Sequence, residues 1–104
     1  MIEGHFIVLE GIDGSGTTTQ CSRLAHRLAD RGLPAHTTRE PSDGPIGMLI
    51  RQILTGRVVT PGQQGSHPPS WATMAALFAA DRLDHLEAEI NPNLLDGVSV
   101  ICDR

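Results

Sequence analysis

The residues that most directly invite chemistry run Gly11-Ile12-Asp13-Gly14-Ser15-Gly16-Thr17-Thr18. Their spacing matches the phosphate-loop pattern G-x-x-x-x-G-K-[ST] in both glycines and in the closing Thr18, with Thr17 standing where the pattern has lysine. Glycines let the backbone turn tightly enough for successive N–H groups to face one phosphate, and a helix N-terminus adds partial positive charge there. Thr18 is placed to offer its hydroxyl to a Mg²⁺ ion bridging the β- and γ-phosphates of a nucleotide. Thr17 supplies one neutral hydrogen bond where an ammonium would otherwise balance phosphate charge.

A loop of this kind needs a strand before it and a helix after it. Residues 5–10 (HFIVLE) form a short apolar run whose length and β-rich composition favour a buried strand. Beyond the loop, Cys21, Leu24, Ala25 and Leu28 recur at i, i+3, i+4 and i+7, one apolar face of a helix ending near Arg31, with Gly32 as its stop signal. Residues 33–38 return as a second strand opened by Pro34. Strand, helix and strand in close succession predict a βαβ unit with its two strands paired in parallel. From Pro45, well suited to a first helical turn, Ile46, Leu49, Ile50, Ile53 and Leu54 mark a second buried stripe. Residues 56–69, rich in proline and glycine, read as a loop. Ser70 is a candidate N-cap for a helix over residues 71–90, with Trp71, Met74, Leu77, Phe78, Leu83, Leu86 and Ile90 among its apolar positions. Asn91-Pro92 is expected to bend or end that helix and Asp96-Gly97 to turn the chain into a third strand at residues 98–102.

With 104 residues, 39% of them hydrophobic and 19% charged, the chain has the size and composition of one soluble globular domain. Its net charge of −4 argues against a general nucleic-acid-binding face. A phosphate site is unaffected by that balance, because it uses local backbone dipoles. Cys21 and Cys102 lack ligand spacing and read as buried reduced thiols. His5, His26, His36, His67 and His85 are scattered without ligand spacing. Asp84, Glu87 and Glu89 read as a solvated helix face, and Trp71 and Met74 as core or subunit interface. No apolar run approaches the ~20 residues needed to cross a bilayer, and the N-terminus lacks the features of a signal peptide, so a cytoplasmic location without membrane partners is expected. In a doubly wound sheet the first strand is normally central. With two other strands in the sequence, it is expected to keep a bare apolar edge, so residues 1–104 read as a single domain cut short.

Four segments, in order, resemble the thymidylate kinase family. FIVLEGIDGSGTTTQ is similar to that family's first strand and phosphate loop, and TREPSDGPIG (residues 38–47) to its Arg-Glu-Pro segment after the second strand. LFAADR (residues 77–82) resembles its base-binding helix, and VICDR (residues 100–104) its third strand with a terminal Asp-Arg pair. The resemblance covers essentially every residue present. It implies an α/β fold, the P-loop NTPase three-layer sandwich with a parallel sheet, represented by its first three strands and forming the N-terminal part of a nucleoside monophosphate kinase domain.

It also implies roles. ATP phosphates would be held by Gly11, Ile12, Asp13, Gly14, Ser15, Gly16, Thr17, Thr18 and Thr19, with Mg²⁺ held indirectly through Thr18 and Asp103. Asp13 would accept a hydrogen bond from the deoxyribose 3′-hydroxyl of thymidine monophosphate, and Arg39, Glu40 and Pro41 would form the loop beside its phosphate. Phe78 would stack on the thymine ring and Arg82 would hydrogen-bond its exocyclic oxygen; four residues apart, they share a helix face. Asp103, Arg104 and Arg39 would serve catalysis, Arg104 clamping the acceptor phosphate with its planar fork. The implied reaction moves the γ-phosphoryl of ATP to thymidine monophosphate in a homodimer. Two alternatives stand beside it: a nucleoside or nucleotide kinase for a different base, and a non-catalytic nucleotide-binding remnant, suggested by Thr17 and by the absence of the family's lid segment.

Overall fold

Alternation of apolar runs with glycine punctuation produces, in chain order, β1 (Phe6–Leu9), α1 (Thr17–Asp30), β2 (Ala35–Arg39), α2 (Pro45–Leu54), α3 (Trp71–His85), a π-helical turn (Leu86–Ile90), α4 (Asn91–Leu95) and β3 (Ser99–Asp103). These elements come from a computed structural model that describes residues 3–12 and 14–104. The described residues fall into two compact units, one running through Glu40 and resuming at Leu86–Arg104, the other Pro41–His85.

The first unit holds a sheet of order β1-β3-β2 among the described residues, all pairs parallel. β1 and β2, expected to pair with each other, instead flank β3. The reason lies in their side chains. β3 (SVICD) carries Val100, Ile101 and Cys102, all 0% exposed, and can be covered on both faces. β2 (AHTTR) is polar and suits an edge. The register aligns Leu9, Asp103 and Arg39 at the carboxyl end of the sheet. Cys21 on α1 and Ile90 at the end of the π turn complete the buried apolar set of this unit.

Helix α3 ends at His85, before the expected bend or end at Asn91-Pro92, and Pro92 lies beyond the π turn. It falls in the first turn of α4, where its missing N–H has no intrahelical partner to lose. The π turn just before it widens the helix where a proline ring would otherwise crowd the preceding carbonyls. Glu89, on that turn, is half-buried rather than solvated, accepting a hydrogen bond from Thr38 Oγ1 and standing 3.6 Å from His36 Nε2.

In the second unit α2 packs on α3. Ile50 and Ile53 are buried, whereas Leu49 and Leu54 of the expected stripe are exposed. Ser70 caps α3, its Oγ accepting from Thr73 N–H at 3.2 Å. The buried residues of α3 are Asp81 and His85, not its apolar positions, and Trp71 is 85% exposed, so it is no core residue of this chain.

β1 pairs on one side only among the described residues, and Phe6 on it is exposed. Its other edge presents unpaired backbone groups beside Ile7 and Leu9. The isolated chain is therefore expected to self-associate in sedimentation velocity at micromolar concentration. A sharply melting monomer at every concentration would contradict an accessible edge.

Candidate functional site

The loop after β1 reaches α1 through Gly16, which takes φ 90° at the N-cap position; Gly14 is likewise left-handed at φ 80°. Side chains with a Cβ resist that region, so both glycines are there for conformation. Ser15 N–H donates to Ile12 O at 3.0 Å, closing the turn, and Thr17 and Thr18 open the helix. Asp13 lies outside the described residues.

Across the sheet end, Thr18 Oγ1 donates to Asp103 Oδ2 at 2.5 Å. This hydroxyl and carboxylate are the hard oxygen donors that Mg²⁺ prefers, and they meet at the N-terminus of α1. A cavity of about 240 Å³ lies alongside, lined by Thr18, Cys21, Ser22, Thr37, Thr38, Arg39 and Asp103. Arg39 and Asp103, adjacent in register, thus share its wall with the phosphate-loop threonine.

Arg104 sits one residue beyond. Its backbone N–H donates to Leu9 O at 3.0 Å and Glu40 N–H donates to Asp103 O at 3.0 Å, so the strand ladder itself carries Glu10, Arg104 and Glu40 into line. The guanidinium lies 3.0 Å from Glu10 Oε1 through Nη1 and 3.6 Å from Glu40 Oε1 through Nε. Glu10, Gly11, Ile12 and Arg104 border an open cleft of about 480 Å³. Glu10 is a residue the sequence reading passed over. Its signal was its place directly before the glycine loop at the carboxyl end of a strand, where ligands of open α/β sheets bind.

Beneath this edge both cysteines are free and buried. Burial first, then the Glu40 charge and the hydrogen bond that Cys102 Sγ donates to Glu40 Oε1 at 3.8 Å, push the Cys102 thiol up to about 12. Burial and the Asp103 charge raise Cys21 as well. The folded chain binds these protons more tightly than the unfolded one, whose thiols ionise near 9.0. The thiol contribution to stability is therefore complete below that value and lost as pH rises towards 12. Urea melts across the alkaline range should show stability falling with pH, and Cys102→Ala should flatten that slope. An unchanged slope would show that another group governs the alkaline limb.

The remaining expected residues, Pro41, Phe78 and Arg82, belong to the second unit. Phe78 and Arg82 lie one turn apart on α3, and Phe78 is 40% exposed. Pro41 opens a turn that is held by groups not anticipated from the sequence: its carbonyl accepts from Arg51 Nη2, and the next residue, Ser42, is bound by Asp81. Asp81 and His85, four apart and polar in an apolar helix, were the available signal for a buried polar face.

A parallel sheet whose first strand feeds a glycine loop into a helix N-terminus, with a carboxylate at the end of a neighbouring strand, defines a P-loop NTPase. The sequence model for thymidylate kinase matches residues 9–104. A probable thymidylate kinase of Pyrococcus horikoshii is 47% identical over 103 residues, covering 99% of this chain and 48% of that protein. The thymidylate kinase of Alkalilimnicola ehrlichii is 40% identical over 104 residues, 45% of its length. Among solved structures, thymidylate kinase from Candida albicans superposes with a TM-score of 0.77 at 32% identity, covering 98% of this chain and 40% of that one. The enzyme from Ehrlichia chaffeensis gives 0.74 at 32% identity, with 98% and 51% covered. The chain belongs to the thymidylate kinase family, and it spans about half the length of the relatives it matches. Among the described residues no helix is long and apolar enough to cross a membrane.

Proposed function

We propose that this chain carries the donor-phosphate loop and the acceptor-nucleotide residues of a thymidylate kinase. In the reaction an oxygen of the 5′-phosphate of thymidine monophosphate attacks the γ-phosphorus of ATP. The bond from that phosphorus to the β–γ bridging oxygen breaks, leaving ADP and thymidine diphosphate. Such a transfer needs positioning and charge neutralisation rather than a covalent intermediate. The observation that carries the reading is the convergence of Thr18, Asp103 and Arg39 on one cavity beside the N-terminus of α1.

The backbone of residues 11–19 would cradle the ATP phosphates, with Asp13 turned to the acceptor's 3′-hydroxyl. Thr18 and Asp103 would hold Mg²⁺, directly or through water, and the ion would neutralise phosphate charge. Arg39, with Glu40 and Pro41, would border the acceptor phosphate. Arg104, held meanwhile by Glu10 and Glu40, would exchange the exposed Glu10 partner for that phosphate. Phe78 would stack on thymine and Arg82 would read its edge. A homodimer, a cytoplasmic location, and the absence of nucleic-acid and membrane partners complete the proposal.

The test combines a coupled assay of ADP formation, with ATP, Mg²⁺ and thymidine monophosphate, and calorimetry across nucleoside monophosphates. Selective binding of thymidine monophosphate is expected. Preference for another base would assign a different nucleotide kinase. Thr17, in the lysine place, favours one further reading, a nucleotide-binding chain without catalysis. Saturable nucleotide binding with no ADP formation would establish it.

A further inference from the structure

Helix α3 buries an acid where its sequence offers leucine. Asp81 is 1% exposed, whereas Leu83 on the same helix is 63% exposed. The Asp81 carboxylate accepts two hydrogen bonds from a single residue: Ser42 N–H donates to Oδ2 at 2.8 Å and the Ser42 hydroxyl to Oδ1 at 2.6 Å. Arg51 on α2 engages the opposite polarity of the same turn, donating from Nη1 to Ser42 O at 3.0 Å and from Nη2 to Pro41 O. The Ser42 hydroxyl oxygen in turn accepts from Gly44 N–H at 3.1 Å. Every polar group of Ser42 is thus engaged. α2 also approaches so closely at Gly47 that a Cβ there would stand 2.0 Å from Ser42 O. The turn at residues 41–44 is held by an acceptor on one helix and a donor on the next.

Burying a carboxylate costs free energy that an apolar side chain at the same place would not incur. What the acid provides is direction, since two fixed acceptors accept only one placement of the Ser42 N–H and O–H. The turn it fixes begins at Pro41. Asp81 itself stands three residues after Phe78 and next to Arg82. We propose that Asp81 is a positioning residue for the acceptor nucleotide: by bonding Ser42 it sets the turn at 41–44 against the face of α3 that carries Phe78 and Arg82. Within this unit Pro41, at the phosphate end, and Phe78 and Arg82, at the base end, are then held at one fixed separation. The proposal rests on the assignment of Pro41, Phe78 and Arg82 to acceptor binding, and it adds the residue that relates them.

A ligand that engages both ends should sense the latch, and one that engages the base end alone should not. Thymidine monophosphate and thymidine differ in that respect. Binding of each to the full chain, to Asp81→Asn and to Ser42→Ala is followed by ligand-detected NMR. Thymidine monophosphate affinity is expected to fall about tenfold in both variants, the scale of a misplaced contact set by a supporting residue. Thymidine affinity should stay within about twofold. A purely structural role would lower the folded fraction and weaken both ligands alike, so the ratio of affinities separates the two. Should Asp81→Asn fail to fold, Ser42→Ala removes one hydrogen bond of the pair and carries the same readout. Equal losses for both ligands, or no loss for either, would overturn the positioning role while leaving the acceptor assignment in place. Failure of the unaltered chain to bind thymidine monophosphate would overturn that assignment, and the positioning role with it.

Discussion

Replacing Thr17 with lysine is expected to tighten binding of Mg²⁺·ATP by roughly 10- to 150-fold, equivalent to about 1.5–3 kcal/mol for a charge-assisted hydrogen bond. Thr17 is the first residue of α1, directly after the left-handed Gly16, so its side chain leaves the backbone where the phosphate-loop pattern has lysine. The loop still has its backbone N–H groups, its glycines and the helix N-terminus. It lacks a full positive charge to set against the β- and γ-phosphates, and Asp103 bonded to Thr18 adds negative charge nearby. An ammonium should therefore gain more with ATP than with ADP, which has one phosphate fewer to balance. Calorimetry with both nucleotides tests this. Unchanged or weakened ATP affinity in a folded Thr17→Lys chain would mean that a different cation already serves the phosphates and that the site is built around threonine.

Phe78→Ala is expected to weaken thymidine monophosphate binding by about 1–3 kcal/mol, the usual scale for base stacking on an aromatic ring. The same change should leave thermal stability nearly untouched, because a substitution at a position 40% exposed creates no sealed cavity. Arg82→Ala should have a different signature. It should erode discrimination between thymine and other bases more than it lowers affinity, since a site that hydrogen-bonds a base edge rejects ligands that lack the matching group. A Phe78→Ala chain that melts normally and binds thymidine monophosphate as before would remove the stacking role.

Much of this protein is written locally. The glycine spacing from Gly11 to Gly16 specifies a strand-to-helix turn because few other residues reach the backbone angles at Gly14 and Gly16. Pro45 and Ser70 mark helix starts, and Val100, Ile101 and Cys102 mark a strand fit to be covered on both sides. These signals rest on propensity, capping and periodicity over a few residues, so the three strands, the first helices and the glycine loop were legible without coordinates, whereas the π turn and α4 were not. The polarity of β2 against the apolarity of β3 even held the correct strand order, although chain succession suggested another.

What the sequence did not disclose lies in contacts between distant residues. Glu10, Glu40 and Arg104 come into line through the parallel register of three strands, and nothing near Arg104 in the chain announces two carboxylates. The same holds on α3. Its apolar positions suggested a buried apolar side, yet its buried residues are Asp81 and His85, and Asp81 accepts the N–H and the hydroxyl of Ser42. A hydrophobic pattern says that a helix will bury one side. On α3 the N–H and hydroxyl of Ser42 take part in that choice, and only tertiary structure brings them within hydrogen-bonding distance of Asp81.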